Sequence, residues 1–174
     1  PDTRGERPRS RSLVRAALIS ARTLMVRSLS FLPAIPSDSG ERPDPREFRA
    51  YAHLMLDAYR GSVDDEGESI DDAIEVMKSL FTGGFGEYVP DASSVVLLDG
   101  VPVAATFVTI HDGLPLVAFS MTSPRSTREG HARTGLHHAY GALAAAGHSE
   151  VRLVVTDGNV PAVTLYVSEG FVAV

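Results

Sequence analysis

Residues 114–147 decide the fold: Leu-Pro-Leu-Val-Ala-Phe-Ser-Met-Thr (114–122), Ser-Pro-Arg-Ser-Thr-Arg-Glu (123–129), then Gly-His-Ala-Arg-Thr-Gly-Leu-His-His-Ala-Tyr-Gly-Ala-Leu-Ala-Ala-Ala-Gly (130–147). The first run is apolar enough for a strand and the second is a polar loop. The third places Ala132, Leu136, Ala139, Tyr140 and Leu143 at helical spacing. A loop that enters a helix at Gly130 presents unpaired backbone N–H groups, and Gly130 and Ala132 allow close approach to them. Arg125 and Arg128 add positive charge at the same place. The arrangement suits a phosphate cradle and equally an ordinary helix start, because Gly and Ala are common there. It is not a P-loop, since no Gly-Lys-Ser/Thr follows, nor a dinucleotide fingerprint, which needs three glycines after a parallel strand.

Toward the N-terminus, Ser93–Leu98 and Val101–Ile110 flank Asp99-Gly100, a strong hairpin signal. His111-Asp112-Gly113 then turns into the 114–122 strand, completing an antiparallel meander. Two helices precede it. Asp44 as N-cap, Pro45 at the first helical position and Glu47 completing a capping box open a helix running to about Arg60. Its apolar face is Phe48, Tyr51, Ala52, Met55, Ala58 and Tyr59. Ser69 caps the second helix, Ile70–Phe81, whose stripe is Ala73, Ile74, Met77, Leu80 and Phe81. Between them lies an acidic loop with Asp64, Asp65, Glu66 and Glu68. Toward the C-terminus, Val151–Val155 predicts a strand buried on both faces. A helix over Val160–Ser168 and a short strand over Phe171–Val174 follow. This order specifies an α/β three-layer sandwich whose central sheet is mixed, mostly antiparallel and flanked by helices. We divide the chain into an Arg-rich flexible N-terminal extension, 1–44, and a core, 45–174. The extension comprises a polar tail, Pro1–Ser12, a short amphipathic helix from Leu13, a strand over Thr23–Phe31 and a Pro/Ser/Gly connector, Pro33–Pro45.

The 174 residues and 18.6 kDa suit one domain, and 44% hydrophobic residues can fill a core without staples. There is no cysteine, which excludes disulfides, Cys-ligated zinc and a thiol nucleophile. The net charge of −6 is uneven. Residues 1–30 carry seven arginines against Asp2 and Glu6, so the remainder is strongly acidic. An acidic body argues against nucleic acid as partner, and no apolar run is long enough to span a membrane. An Arg-rich start also has the composition of a transit peptide, a reading that Asp2 and Glu6 oppose. The acidic middle suits an amine-bearing partner or a plainly solvated surface.

A second stretch reads Asn159-Val-Pro-Ala162-Val-Thr-Leu165-Tyr166-Val-Ser-Glu-Gly170-Phe171. Taken alone, Asn159 opens a helix, Leu165 packs, Tyr166 is a half-buried aromatic and Gly170 ends the helix. Together with Pro124-Arg-Ser-Thr-Arg-Glu-Gly130-His-Ala132, however, it resembles the GNAT superfamily of acetyl-CoA-dependent N-acetyltransferases. That family's C-terminal signature, Asn-x-x-Ala-x-x-Leu-Tyr followed three residues later by Gly-Phe, stands here complete. Its cofactor loop, Pro-x-x-(Arg/Gln)-x-x-Gly-x-(Gly/Ala), stands here with Thr127 at the Arg/Gln position. The resemblance covers about Arg46 to Val174.

The resemblance implies acetyl transfer to a primary amine by direct attack in a ternary complex, with acetyl-CoA as co-substrate and no metal. The cofactor residues it implies are Met121, Thr122, Ser123, Thr127, Arg128, Glu129, Gly130, His131, Ala132 and Asn159. Backbone N–H groups of the 114–122 strand would stabilise the oxyanion. Tyr166 would be the general acid for the departing thiolate, or would only pack against the pantetheine. Tyr59, Glu66 and Glu68 are expected at the acceptor site, with Asp64 and Asp65 near its rim. Glu66, Glu68, Asp157 or a water chain are the routes for removing the ammonium proton. His111, His137 and His138 read as solvated surface. The expected partner is a small-molecule or peptide amine. No nucleic acid or membrane is expected, the family often forms homodimers, and the location is cytoplasmic. Thr127 and the lack of an acid on strand 114–122 suit the alternative, a non-catalytic CoA-binding or regulatory GNAT-like domain. In a third reading the basic start tethers the domain to nucleic acid or an acidic partner.

Overall fold

A computed structural model describes residues 21–30 and 40–174. The expectations for the polar tail, the short helix from Leu13, the transit peptide, Phe31 and most of the connector lie outside the described residues. The strands are β1 (Arg22–Ser28), β2 (Glu87–Tyr88), β3 (Ser94–Leu98), β4 (Val101–His111), β5 (Leu114–Thr122), β6 (Glu150–Thr156) and β7 (Val172–Ala173). The α-helices are α1 (Phe48–Tyr59), α2 (Ile70–Phe81), α3 (His131–Ala145) and α4 (Val160–Ser168). All seven strands join one sheet in the order β2-β4-β5-β6-β1-β7, with β3 also pairing with β4. Only β5–β6 is parallel. The expected sandwich is the observed one.

Both N-terminal helices form where capping predicts, with one difference in chemistry. At α2 the Ser69 side chain and Asp72 make a reciprocal capping box. Ahead of α1, Asp44 caps a short 3-10 turn, Pro45–Glu47. The Asp44 N–H is taken by the Tyr51 hydroxyl at 3.1 Å, not by Glu47. A buried ring one turn into the helix supplies a better-fixed acceptor than an exposed carboxylate.

Two apolar clusters fill the layers. Tyr51, Met55, Met77 and Leu80 of α1 and α2 pack with Phe107, Phe119 and Met121 on one face. Leu136, Tyr140 and Leu143 of α3, with Tyr166, pack with Met25, Val108, Val117 and Val151 on the other. The first cluster takes no residue from β6 or β1, so α1 and α2 cover only half of the sheet. Hence β6 is not buried on both faces as its apolar run suggests. Val151, Leu153 and Val155 face the core while Val154 is 52% exposed.

β1 takes an interior place. It is antiparallel to β6 along its length, from Arg22 opposite Thr156 to Ser28 opposite Glu150, and its other edge receives β7. The segment read as an extension thus supplies a strand of the sheet.

Candidate functional site

The site begins with a fault in β5. Its register with β4 slips between Phe107 opposite Phe119 and Val108 opposite Val117, leaving Ala118 as an extra residue. Val117 therefore faces the α3 side, whereas Phe119 and Met121 face α1 and α2, although all three share the same parity. A bulge of this kind bends the strand and strengthens its twist. β5 and β6 pair only at Leu116–Arg152 and Val117–Leu153, and beyond the bulge they part. Because they are parallel, the gap opens at the C-terminal ends of both. There alternate N–H and C=O groups of β5 point away from β4 with no strand to receive them. Such a crevice is where open α/β sheets place ligands.

The loop after β5 closes one side of the crevice. The Ser123 hydroxyl donates to Asp57 Oδ2 at 2.6 Å, and Pro124–Ser126 form a 3-10 turn. Arg128 has φ +66° and Gly130 has φ +87°, and together they turn the chain into α3. Gly130 is the N-cap, with open space where a Cβ would stand and no side chain capping the helix. The first intrahelical bond is Thr134 N–H to Gly130 O, so the N–H groups of residues 131–133 lack helical acceptors. Arg125 and Arg128 are exposed, and neither has a carboxylate partner among the described residues. The Thr127 hydroxyl is spent on the Pro124 carbonyl at 3.1 Å. His131 Nε2 pairs with Glu129 Oε2 at 2.9 Å, so its ring is engaged locally.

The opposite wall is α4 and the loop before it. The Asn159 amide oxygen caps α4 by accepting from Ala162 N–H, and its amide nitrogen donates to Asp64 Oδ2 at 2.7 Å. Tyr166 is buried, and its hydroxyl meets the side chain of Ser120 on β5, spanning the gap. Burial raises the Tyr166 phenol above its ordinary pKa, and the charge of Asp64 adds to this. Tyr59, half-buried at the end of α1, is raised by burial and by nearby Tyr166 and Asp64. Tyr59, Asp64, Asn159 and Tyr166 thus come together from segments a hundred residues apart.

Other expected site residues are engaged with partners at the rim. Glu66 is exposed and paired with Arg22 at 2.9 Å, Glu68 accepts from the Glu66 N–H, and Asp157 accepts from the Thr23 hydroxyl. His137 is not the solvated group its sequence position suggests. It bonds Glu169 Oε2 at 2.7 Å, and Arg133 holds the other oxygen. The sequence reading missed Asp57 as the partner of Ser123. Its position on the polar side of α1 carried no signal for that contact.

Acetyl-CoA can be tested against these residues. Thr122 Oγ1, at the end of β5, is shut away from solvent yet has no partner. The free edge of β5 offers hydrogen bonds of the kind a pantetheine amide chain makes. The uncapped α3 start with two unpaired guanidinium groups suits a pyrophosphate. These features fit that molecule. No cluster of potential metal ligands occurs among the described residues. No helix among them is long and apolar enough to cross a membrane.

This architecture is that of the GNAT-family acetyltransferases: the chain has the GNAT fold. It is similar to a GCN5-related N-acetyltransferase from Sphaerobacter thermophilus, with TM-score 0.69, 16% identity, and coverage of 88% of this chain and 48% of that one. A putative GNAT-family acetyltransferase from Novosphingobium aromaticivorans gives TM-score 0.63, 19% identity, and coverage of 88% and 60%. The PaiA N-acetyltransferase from Thermoplasma acidophilum, solved in complex with coenzyme A, gives TM-score 0.58, 12% identity, and coverage of 74% and 86%. The chain spans about half to three fifths of the length of the first two. No family model matches the sequence, and no curated protein does.

Proposed function

We propose that this chain is an acetyl-CoA-dependent N-acetyltransferase that passes an acetyl group to a primary amine by direct attack in a ternary complex. The observation that carries the reading is the bulge at Ala118 and the parting of β5 from β6, which leads straight into the uncapped start of α3. Bound acetyl-CoA supplies an acyl group activated as a thioester. The N–H groups of residues 131–133, with Arg125 and Arg128, hold the pyrophosphate. The backbone around Met121, Thr122 and Ser123 orients the pantetheine arm, and free β5 N–H groups stabilise negative charge on the acyl oxygen. Tyr166 Oη keeps its proton at neutral pH and gives it to the departing sulfur. Glu66, Glu68 and Asp157 are each engaged by a donor at the rim, so the ammonium proton leaves through water in this reading. Solved PaiA with coenzyme A and the complete Asn159–Phe171 signature support it. A cysteine-free chain with this co-substrate suits the cytoplasm.

Calorimetric titration with acetyl-CoA, CoA and ATP tests the proposal. Binding of both CoA species but not ATP is expected, followed by thiol release with an amine panel. No binding up to millimolar concentration refutes it. Binding without thiol release transfers the site to a non-catalytic CoA-binding domain, a reading that the diverted Thr127 hydroxyl favours.

A further inference from the structure

We propose that Asp64 is the residue that recognises the ammonium group of the acceptor, an inference that rests on the N-acetyltransferase reading. Its carboxylate stands at the mouth of the crevice, at the C-terminal end of β6. The Thr156 hydroxyl donates to Oδ1 at 2.5 Å and the Asn159 amide to Oδ2 at 2.7 Å. Both donors are neutral. They fix the carboxylate in place and leave its charge uncompensated, with one acceptor site still free on each oxygen.

The neighbouring cations are already matched, while Asp157, like Asp64, accepts only from a neutral donor. Arg22 pairs with Glu66, Arg60 pairs with Asp65, and Glu68 accepts from a backbone N–H and adds no positive charge. Among the described residues no cation pairs with Asp64. A half-buried carboxylate held in place and without a counter-ion is set to attract a ligand cation. Tyr59 and Tyr166 lie close enough to feel the charge of Asp64. The same residue ties the loop between α1 and α2 across the gap, so the loop's position and the ammonium site are set together. Glu66 and Glu68 are then bystanders to recognition.

The test compares phenethylamine, an ammonium at neutral pH, with phenethyl alcohol, its neutral counterpart, by ligand-observed NMR with and without CoA. The unaltered protein should prefer the amine by about tenfold or more. Asp64→Asn, which keeps a side-chain acceptor oxygen, should abolish the preference. Asp99→Asn, on the β3–β4 turn, removes the same charge elsewhere and should retain it. Equal binding of amine and alcohol to the unaltered protein, which needs no variant, overturns the proposal. No detectable amine binding does the same. A preference that survives Asp64→Asn also overturns it, leaving Asp64 as a loop tie only. Calorimetry with acetyl-CoA on the same proteins separates the two readings. Its failure defeats the acetyltransferase, while the charge preference alone judges Asp64.

Discussion

Gly135→Ala probes how closely α3, whose start would hold the pyrophosphate, is seated on the sheet. A Cβ at Gly135 would lie 2.3 Å from Thr106 Oγ1, 3.1 Å from Thr106 Cβ and 3.2 Å from Ser94 Oγ, against ordinary contact at 3.4–4 Å. Thr106 and Ser94 are both buried, so neither can swing into solvent. The helix must lift by about 1 Å or the strands must give way, and overpacking of this kind costs about 1–3 kcal/mol. The higher helix propensity of Ala returns up to about 1 kcal/mol. The expected net loss is about 1–2 kcal/mol, which for a chain of this length lowers Tm by about 5 °C. Acetyl-CoA affinity should also fall several-fold, because residues 131–133 move with the helix. The decisive assay is a double-mutant cycle by urea denaturation with Thr106→Ala. Removing Oγ1 relieves the 2.3 Å contact, so Gly135→Ala should cost clearly less in that background, with the contacts to residue 106 Cβ and Ser94 Oγ remaining. Equal costs in both backgrounds, or Gly135→Ala at full stability, would refute the close-approach argument.

Tyr166→Phe should lower kcat by about a hundredfold while leaving the acetyl-CoA Kd near its original value, as measured by thiol release and calorimetry. Unchanged kcat would restrict Tyr166 to packing. Glu169→Gln removes the charge from a side chain only 7% exposed that binds Arg133 and His137. A loss of about 1–3 kcal/mol in urea is expected, and no loss would mean that α3 and α4 are held by apolar contacts alone. All five tyrosines of the chain are held above the ordinary phenol pKa of 10.0, chiefly by burial, Tyr51 to about 12. The folded chain therefore keeps these protons to higher pH than the unfolded one. Their contribution is full below pH 10 and is lost as pH rises through each raised value, about 12 for Tyr51. A tyrosinate absorbance titration should show no ionisation near pH 10, then one cooperative step coincident with unfolding. Separate ionisation of phenols in a still-folded protein would contradict it.

Much of this was legible in the sequence where the cause is local. Ser69 with Asp72, the Asp99-Gly100 hairpin and the apolar stripe of α2 are each specified by residues a few positions apart, and each forms as read. The Asn159–Phe171 signature likewise marked the wall of the crevice. What stayed hidden depends on partners far along the chain. In Leu116-Val-Ala-Phe119 four apolar residues in a row conceal which one is extra, and only pairing with β4 selects Ala118. Nothing near Asp64 distinguishes it from Asp65, Glu66 or Glu68. Its partners, Thr156 and Asn159, lie more than ninety residues away. Val154 was read as buried because an apolar run does not reveal where the covering helices stop.

The interior place of β1 has a consequence for synthesis. Its neighbours are β6 and β7, and Thr23 bonds Asp157 across 134 residues of chain. On the ribosome, β1 emerges before its partners and has no strand to pair with until residues 150–173 have followed. The half of the sheet that carries Asp64 therefore closes last, against a loop-closure cost that grows with the logarithm of the intervening chain. Until then Leu24, Met25 and Val26 sit on an open edge, the kind that recruits strands from other chains. For this fold the hazardous interval is the synthesis of residues 29–149, and chaperone demand should fall once β6 and β7 have left the tunnel.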